Sequence, residues 1–156
     1  MVMFQWATLP QERRHGTDRA VAEGRVVQCL APELLEEIRD LLSRPTTRAK
    51  FGGMLTTERI AAFLDVIRKL SEWTEPLPAV FTLADHTKDD HLFNLAIAGK
   101  AEYLVTFETR LLKLEAKHPD AATRLRDLAP SLKIVDPPTL ATELLRRPQR
   151  KLTRDV

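Results

Sequence analysis

The stretch of residues 80–108, VFTLADHTKDDHLFNLAIAGKAEYLVTFE, constrains the fold of this chain more than any other part. The β-branched and aromatic run VFTL predicts a strand, and three carboxylates follow it closely. HLFNLAIAGK predicts a packed helix that Gly99 ends, and EYLVT predicts a second buried strand before Glu108. Because both strands would present acids at their carboxyl ends, where open α/β sheets bind ligands, we predict a site at this edge.

The remainder of the chain alternates between strand patterns and helix patterns. RVVQCL and KIV predict two further strands, and helical patterns flank both. This alternation predicts one α/β domain with a parallel sheet that helices cover on both faces. The chain has 156 residues, of which 44% are apolar, and this is enough for one core. The predicted helices are residues 17–22, 32–43, 58–73, 91–100, 109–117, 119–129 and 137–147.

The number of cysteines and the hydropathy of the chain indicate in which compartment the protein is located. The single cysteine, Cys29, excludes an internal disulfide and fits a reducing cytosol, where we expect a buried, inert thiol. The N-terminus lacks the apolar core of a signal peptide. No uncharged apolar stretch approaches the roughly 18 residues that a membrane span needs. We therefore predict a cytoplasmic protein that does not contact a membrane.

The formal net charge of +2 is unevenly distributed along the chain. Residues 146–156 carry five basic side chains and one aspartate, a net +4, so the other residues together carry −2. We therefore divide the chain into a domain at residues 1–145 and a basic C-terminal tail at residues 146–156. A solvated tail is the simpler interpretation, and the alternative is contact with nucleic acid phosphates. The tail residues that would bind RNA are Arg146, Arg147, Arg150 and Lys151.

Helical geometry separates acids that border a buried face from acids that point outward. Glu37 alone borders the apolar stripe of its helix, and its simplest role is an edge glutamate paired with a lysine or arginine. If Asp89 begins the next acidic helix, it points within about 20° of the apolar direction, whereas Asp90 points outward. A plain N-cap is an equal alternative for Asp89. His86 and His91 flank these acids without the spacing of a zinc site.

A resemblance to a known family rests on three runs: LAPELLEEIRDLLSRP, DHTKDDHLFNLAIAGKAEYLVTFETRLLKL and IVDPPTLATELL. They lie within residues 19–145 and resemble the PIN domain, specifically the branch of toxin components of toxin–antitoxin systems. The resemblance implies a three-layer α/β/α domain with a mainly parallel central sheet. It also implies a metal-dependent ribonuclease with RNA as substrate and an antitoxin protein as partner. A homodimer is an assembly that similar proteins often form.

The resemblance further implies a site in which acids surround one or two Mg²⁺ or Mn²⁺ ions. Hard divalent ions prefer oxygen ligands, and clustered carboxylates are tolerable when a cation neutralises them. The bound ion would activate a water molecule for attack on the phosphate. We expect no basic side chain in this set to take its place. Carried over residue by residue, the implied metal ligands are Glu37, Asp89 and Glu108, with Asp85 or Asp90 as alternative neighbours, and Thr106 would hydrogen-bond the carboxylates or a metal-bound water.

Two features depart from the family pattern. The first strand, which normally ends in Asp-x-Asn and lies in the centre of the sheet, is missing, and MVMFQWATLP resembles the segment that follows it. Glu108 stands where the family usually has aspartate, which lengthens the side chain by one methylene. Without the central strand, two other strands would lack a hydrogen-bonding partner. We favour a misplaced start or a truncation, and the alternatives are a degraded member or a gap filled by a partner protein or a second copy.

Two functions therefore stay open. One is a metal-dependent endoribonuclease of toxin type, whose activity the missing aspartate would impair. The other is a catalytically inactive PIN-like module that binds an antitoxin or RNA. A nucleotide-binding domain is disfavoured, because no glycine-rich phosphate loop follows any predicted strand.

Overall fold

The computed structural model describes residues 20–146, with the exception of residue 22. The predicted apolar run and loop at residues 1–16, most of the predicted helix at residues 17–22, and the tail from residue 147 lie outside the described residues. The strands are β1 (Gln28–Leu30), β2 (Ser71–Trp73), β3 (Tyr103–Val105) and β4 (Lys133–Val135). The α-helices are α1 (Pro32–Ser43), α2 (Pro45–Lys50), α3 (Thr57–Leu70), α4 (Asp90–Ala98), α5 (Thr109–Leu112), α6 (Leu114–Lys117), α7 (Pro119–Leu128) and α8 (Pro137–Arg146).

The strands form two parallel pairs. β1 pairs with β2, with Gln28 opposite Ser71, and β3 pairs with β4, with Tyr103 opposite Lys133. Helices lie in the crossover of each pair, as parallel strands require. The predicted α/β class with parallel strands is thus confirmed. The described strands do not form the predicted single sheet. Each strand is three residues long, and each pair packs on a core of its own.

Helices α1 and α3 pack with the β1–β2 pair through the apolar stripes that the sequence predicts. Pro32 occupies the first turn of α1, where its fixed φ and missing N–H suit a helix start. Thr56 caps α3, since its Oγ1 accepts a hydrogen bond from the Arg59 N–H at 3.2 Å. Burial of these stripes is the main stabilising contribution in this half. The buried residues of this core are Leu30, Ile38, Leu42, Leu55, Ile60, Phe63, Leu64 and Ile67.

The predicted helix at residues 58–73 ends earlier than the sequence indicates. α3 stops at Leu70, and Ser71–Trp73 form β2. Trp73 packs against the first core, and the guanidinium of Arg68 lies 4.5 Å from the centre of its ring. Pairing with β1 and burial of the tryptophan therefore outweigh the local preference for helix.

The run VFTL at residues 80–83 belongs to neither sheet, so its prediction as a strand is wrong. Its partner is the buried side chain of Asn94 in α4, whose Oδ1 accepts hydrogen bonds from the N–H groups of Val80 and Phe81 at 2.9 Å each. Nδ2 of Asn94 donates to the Phe81 carbonyl, also at 2.9 Å. The alternation that suggested a strand is real, because Phe81 and Leu83 are buried. A side chain supplies the hydrogen bonds that a neighbouring strand would give.

Helix α4 joins the two halves of the molecule, since it packs against both β1 and β3. Gly99 follows it so close to β1 that a Cβ at this position would lie 2.7 Å from Sγ of Cys29. Burial raises the pKa of the Cys29 thiol, and the nearby Glu72 carboxylate raises it further. The thiol therefore stays protonated, as expected of an inert cysteine. The second core contains Phe81, Leu83, Phe93, Leu111, Leu114, Ala121, Ala122 and Leu125.

The two helices that directly follow β3 are short, with four residues each. The predicted helix at residues 109–117 consists of α5 and α6, which meet at Lys113. Asp136 caps α8 as predicted, by accepting a hydrogen bond from the Thr139 N–H at 2.8 Å. Hydrogen bonds from the side chain and the backbone of Thr139 hold the pKa of the Asp136 carboxyl below its ordinary value. None of the helices in residues 20–146 combines the length and the apolar character of a membrane span.

Candidate acidic site

The N-terminal end of α4 is where the candidate acids lie closest to charged partners. A 3₁₀ turn, Thr87–Asp89, leads into the helix, which begins at Asp90. Partners reach this point from α1 on one side and from the segment after β3 on the other. The exposed N–H groups of a helix start carry a partial positive charge, which favours carboxylates. We refer to Glu37, Asp89 and Glu108, together with the basic side chains that contact them, as the acidic site.

Asp89 binds Arg110. Its Oδ2 accepts a hydrogen bond from Nη2 of Arg110 at 2.8 Å, and its side chain is 15% exposed. Although Asp89 occupies the N-cap position of α4, its carboxylate makes no capping hydrogen bond within the described residues. The alternative of a plain N-cap is therefore wrong. Asp89 is instead a largely buried carboxylate in a charge-assisted pair.

Arg110 lies between two of the predicted metal ligands. Besides Nη2, which binds Asp89, its Nη1 lies 3.1 Å from Nδ1 of His86. Its Nε is 3.7 Å from Oε2 of Glu108, an ion-pair distance that is too long for a hydrogen bond. Nε is buried and has no hydrogen-bond partner among the described residues. One guanidinium, which is protonated at any physiological pH, therefore partly neutralises two carboxylates.

The expectation that no basic side chain would stand in for a cation is wrong. Arg110 is in the first turn of α5, which starts directly after Glu108 and turns the guanidinium back toward the start of α4. The signal in the sequence is the spacing Glu-x-Arg immediately after a strand. Helical geometry applied to α4 alone could not reveal it, because the contact joins residues 21 positions apart.

Glu37 is held by a histidine. Its Oε2 lies 2.8 Å from Nε2 of His91 in the first turn of α4, and its own side chain is 46% exposed. The sequence predicted an edge glutamate paired with lysine or arginine. The position at the edge of the buried face is consistent with the contact, but the partner is a histidine, which carries a charge only when protonated. The spacing of His86 and His91 is not that of a zinc site, and it does not predict their contacts. His91 contacts Glu37, and His86 contacts Arg110.

Asp90 has a structural contact that the sequence did not indicate. Its Oδ1 accepts a hydrogen bond from the Leu83 N–H at 2.8 Å, so it points toward the segment at residues 80–83 and not outward. The error arises because residues 80–83 cover the face of α4 that the apolar pattern leaves polar, and Asp90 shares this face with Asn94 one turn later. Asp85, the other alternative ligand, is exposed in the turn that follows residues 80–83.

Thr106 fixes the backbone before Glu108. It is buried, and its own N–H extends the β3–β4 pairing by donating to the Val135 carbonyl at 3.0 Å. Its Oγ1 accepts a hydrogen bond from the Glu108 N–H at 3.0 Å. Among the described residues Thr106 thus binds the backbone of Glu108, and its predicted contact with a carboxylate or a metal-bound water stays a prediction. The Glu108 side chain itself is 61% exposed.

The structure brings Asp89 and Glu108 to one guanidinium and brings Glu37 to the same helix start through His91. It does not gather three acids, histidines or cysteines at metal-ligand distance within the part of the chain that it describes. Of the predicted RNA-binding residues, Arg146 is exposed at the end of α8. Arg147, Arg150 and Lys151 lie outside the described residues.

Comparison with known families gives a match between the PIN domain and residues 6–110. The matched range covers more than half of the chain and includes all three acids of the acidic site, as well as Arg110. Comparisons with curated proteins and with solved structures give no match.

Proposed function

The chain belongs to the PIN domain family, whose fold is generally that of a nuclease, and on this premise we propose that it is an endoribonuclease of toxin type. It would hydrolyse phosphodiester bonds of RNA with the help of Mg²⁺ or Mn²⁺. The observation that supports this proposal best is the pair Asp89 and Glu108. These carboxylates come from different elements and approach one positive charge.

The donor chemistry of this pair fits a divalent cation. Carboxylate oxygens are the ligands that Mg²⁺ and Mn²⁺ prefer, and the position between Asp89 and Glu108 already accommodates a cationic group. Asp89 and Glu108 would hold the ion, and Glu37 would join them on release from His91. When bound, the ion would lower the pKa of a water molecule and stabilise the charge that develops on the phosphate.

The other residues of the acidic site would position these acids. Thr106 fixes the Glu108 backbone, so that its carboxylate leaves the strand end in a set direction. The start of α4 lies beside Asp89, which occupies its N-cap position. Arg110 compensates the charge of Asp89, and His91 holds Glu37 by a hydrogen bond, while no substrate is present.

RNA cleavage by the full chain tests the proposal. A 5′-labelled single-stranded RNA should be cut in the presence of Mn²⁺ or Mg²⁺, and EDTA should stop the reaction. Asp89→Asn should lower the rate at least roughly 100-fold, because even the outer partners of metal ligands account for roughly 10- to 100-fold. Asp40→Asn is the matched control, since Asp40 is exposed on α1. Equal rates for Asp89→Asn and Asp40→Asn would show that the cleavage does not come from this site.

The second candidate is a catalytically inactive module of the same fold that binds an antitoxin or RNA. The observation that favours it is that Asp89 has a cationic partner within the chain itself, and that Glu37 contacts His91. In that case Arg110 and His91 would be permanent structural partners. RNA would bind without being cut, with the same affinity in Mn²⁺ and in EDTA, and Asp89→Asn would leave that affinity unchanged.

A protein partner is part of the proposal of a toxin. We expect an antitoxin that binds the folded chain, and we expect a homodimer, which light scattering after size-exclusion chromatography can test. The exposed Arg146 and the basic residues after it would add contacts to RNA phosphates. RNA binding that falls steeply with salt, and less steeply after Arg146→Ala, would support that role.

A further inference from the structure

We propose that Arg110 competes with a divalent cation for the carboxylates of Asp89 and Glu108, so that it acts as a built-in inhibitor of metal binding. This inference rests on the proposed function, because it concerns how the same site would be regulated. The competition would keep the site closed to the ion until the guanidinium leaves.

The first step of the argument is position. Nη2 of Arg110 is 2.8 Å from Asp89, and its Nε is 3.7 Å from Glu108, so the guanidinium occupies the space between the two carboxylates. An ion bound to both acids would need that same space. Ligand distances for Mg²⁺ and Mn²⁺ are roughly 2.0–2.2 Å, which leaves no room for a guanidinium between the ion and the oxygens.

The second step is charge. The guanidinium keeps its proton, so it cannot become neutral when an ion arrives. The two carboxylates and Arg110 together carry a net −1, whereas the carboxylates alone carry −2. A divalent cation is therefore attracted less strongly while Arg110 is in place, and it would be repelled by the guanidinium at short range.

The third step is that Arg110 can leave. Its side chain is 32% exposed, so one route to solvent is open. Its buried Nε lacks a hydrogen-bond partner among the described residues, and a buried donor without a partner is unfavourable. Besides the Asp89 carboxylate, its anchors are Nδ1 of His86 at 3.1 Å and the Glu108 carboxylate at 3.7 Å. Release of the guanidinium would satisfy Nε in water, which offsets part of the loss of the Asp89 contact.

The affinity for Mn²⁺ tests this competition without any RNA. Free Mn²⁺ is measured by electron paramagnetic resonance during titration of the full chain. Arg110→Gln should raise the affinity by about tenfold or more, because an opposite charge at this distance typically changes carboxylate equilibria by roughly 10- to 1,000-fold. Arg110→Lys, which keeps the charge, should stay closer to the wild type.

Arg124→Gln is the matched control. It removes the same charge, but Nη2 of Arg124 donates to the Thr82 carbonyl at 2.9 Å and not to a carboxylate. Its Mn²⁺ affinity should change by less than about twofold, because its guanidinium binds a backbone carbonyl and none of the three acids. The double variant Arg110→Gln with Asp89→Asn should not show the higher Mn²⁺ affinity that we expect of Arg110→Gln alone. An equal affinity for Arg110→Gln and Arg124→Gln, or a gain that survives Asp89→Asn, would overturn the proposal.

A second measurement uses the wild-type chain, in case Arg110→Gln does not fold. Mg²⁺ titration followed by the NMR signals of arginine Nε–H groups should shift the Arg110 signal, identified by its absence in Arg110→Lys. A signal that does not move while Mg²⁺ binds contradicts the competition. The two proposals can fail separately. Metal competition without RNA cleavage would remove only the proposed function, and cleavage without a gain in Arg110→Gln would remove only this inference.

Discussion

Asp89 and Asp90 are adjacent, identical in chemistry and both partly buried, yet they serve opposite faces of the start of α4. On the inner face, Asp90 and Asn94 hold the backbone of residues 80–83. On the outer face, Asp89 and His91 contact the charged side chains of Arg110 and Glu37. The inner contacts bind neutral backbone groups, whereas the outer contacts pair charges that water could also solvate. The inner face should therefore control stability, and the outer face should control the chemistry of the acids.

The largest expected effect comes from the inner face. Asn94→Ala removes hydrogen bonds to the backbone of Val80, Phe81 and Asp90, and it leaves buried groups without partners. We expect the free energy of unfolding to fall by about 3 kcal/mol, since each buried unsatisfied group costs roughly 1–3 kcal/mol. Urea denaturation followed by circular dichroism measures this. A loss below about 1 kcal/mol would mean that the segment at residues 80–83 is held mainly by its apolar side chains.

The outer face should respond unequally at its two ion pairs. Arg110→Ala leaves Asp89, a largely buried carboxylate, without its cation, and we expect a loss of about 1–2 kcal/mol in EDTA. His91→Ala affects the half-exposed Glu37, and we expect less than about 0.5 kcal/mol. The same urea experiment compares the two variants. Similar losses would show that burial does not distinguish the two pairs.

A smaller effect on stability is expected from the hydrogen bond that holds the backbone of Glu108. Thr106→Val keeps the shape of the buried side chain but removes the oxygen that accepts the Glu108 N–H. We expect a loss of about 1 kcal/mol, typical of one hydrogen bond. Thr106→Ser restores the acceptor and should recover stability in thermal melts. No difference between the valine and serine variants would show that the bond does not orient Glu108.

The smallest effect concerns Asp136, the acid that directly follows β4. Asp136 caps α8, and its folded-state pKa lies below the ordinary value of 3.8. Its carboxylate therefore stabilises the fold above that pH, and the contribution disappears as the pH falls through the lowered pKa. Asp136→Ala should lower the melting temperature slightly at pH 7, and the difference from wild type should shrink below pH 3.8. A constant difference across this range would show that the charge is not involved.

Much of this arrangement follows from the sequence. Periodicity places α1, α3, α4 and β4 close to their observed positions, because each buries a regular apolar face. The geometry of α4 also separates Asp89 from Asp90, although it assigns the wrong direction to Asp90. The pattern VFTL predicts burial correctly, but it cannot tell which group supplies the hydrogen bonds. Here the donor and acceptor belong to a side chain 13 or 14 residues away.

The partners of the acids could not be predicted for a related reason. Long side chains such as that of Arg110 reach several directions, and only the packing of α5 after β3 selects one of them. The contact between Glu37 and His91 joins residues 54 positions apart and depends on how α1 meets α4. Sequence patterns give the direction of a backbone element more reliably than the end point of a flexible side chain.

The hydrogen bonds between the Asn94 side chain and the backbone of residues 80–83, which we call the clasp, also have a consequence for the order of folding. It closes a loop of 13 or 14 residues, whereas Gln28 must find Ser71, and Tyr103 must find Lys133, across much longer stretches of chain. Shorter loops lose less entropy on closure, so the clasp should form before the parallel strands pair. Asn94→Ala would then slow folding more than it speeds unfolding, and stopped-flow kinetics would show this as a φ-value near one.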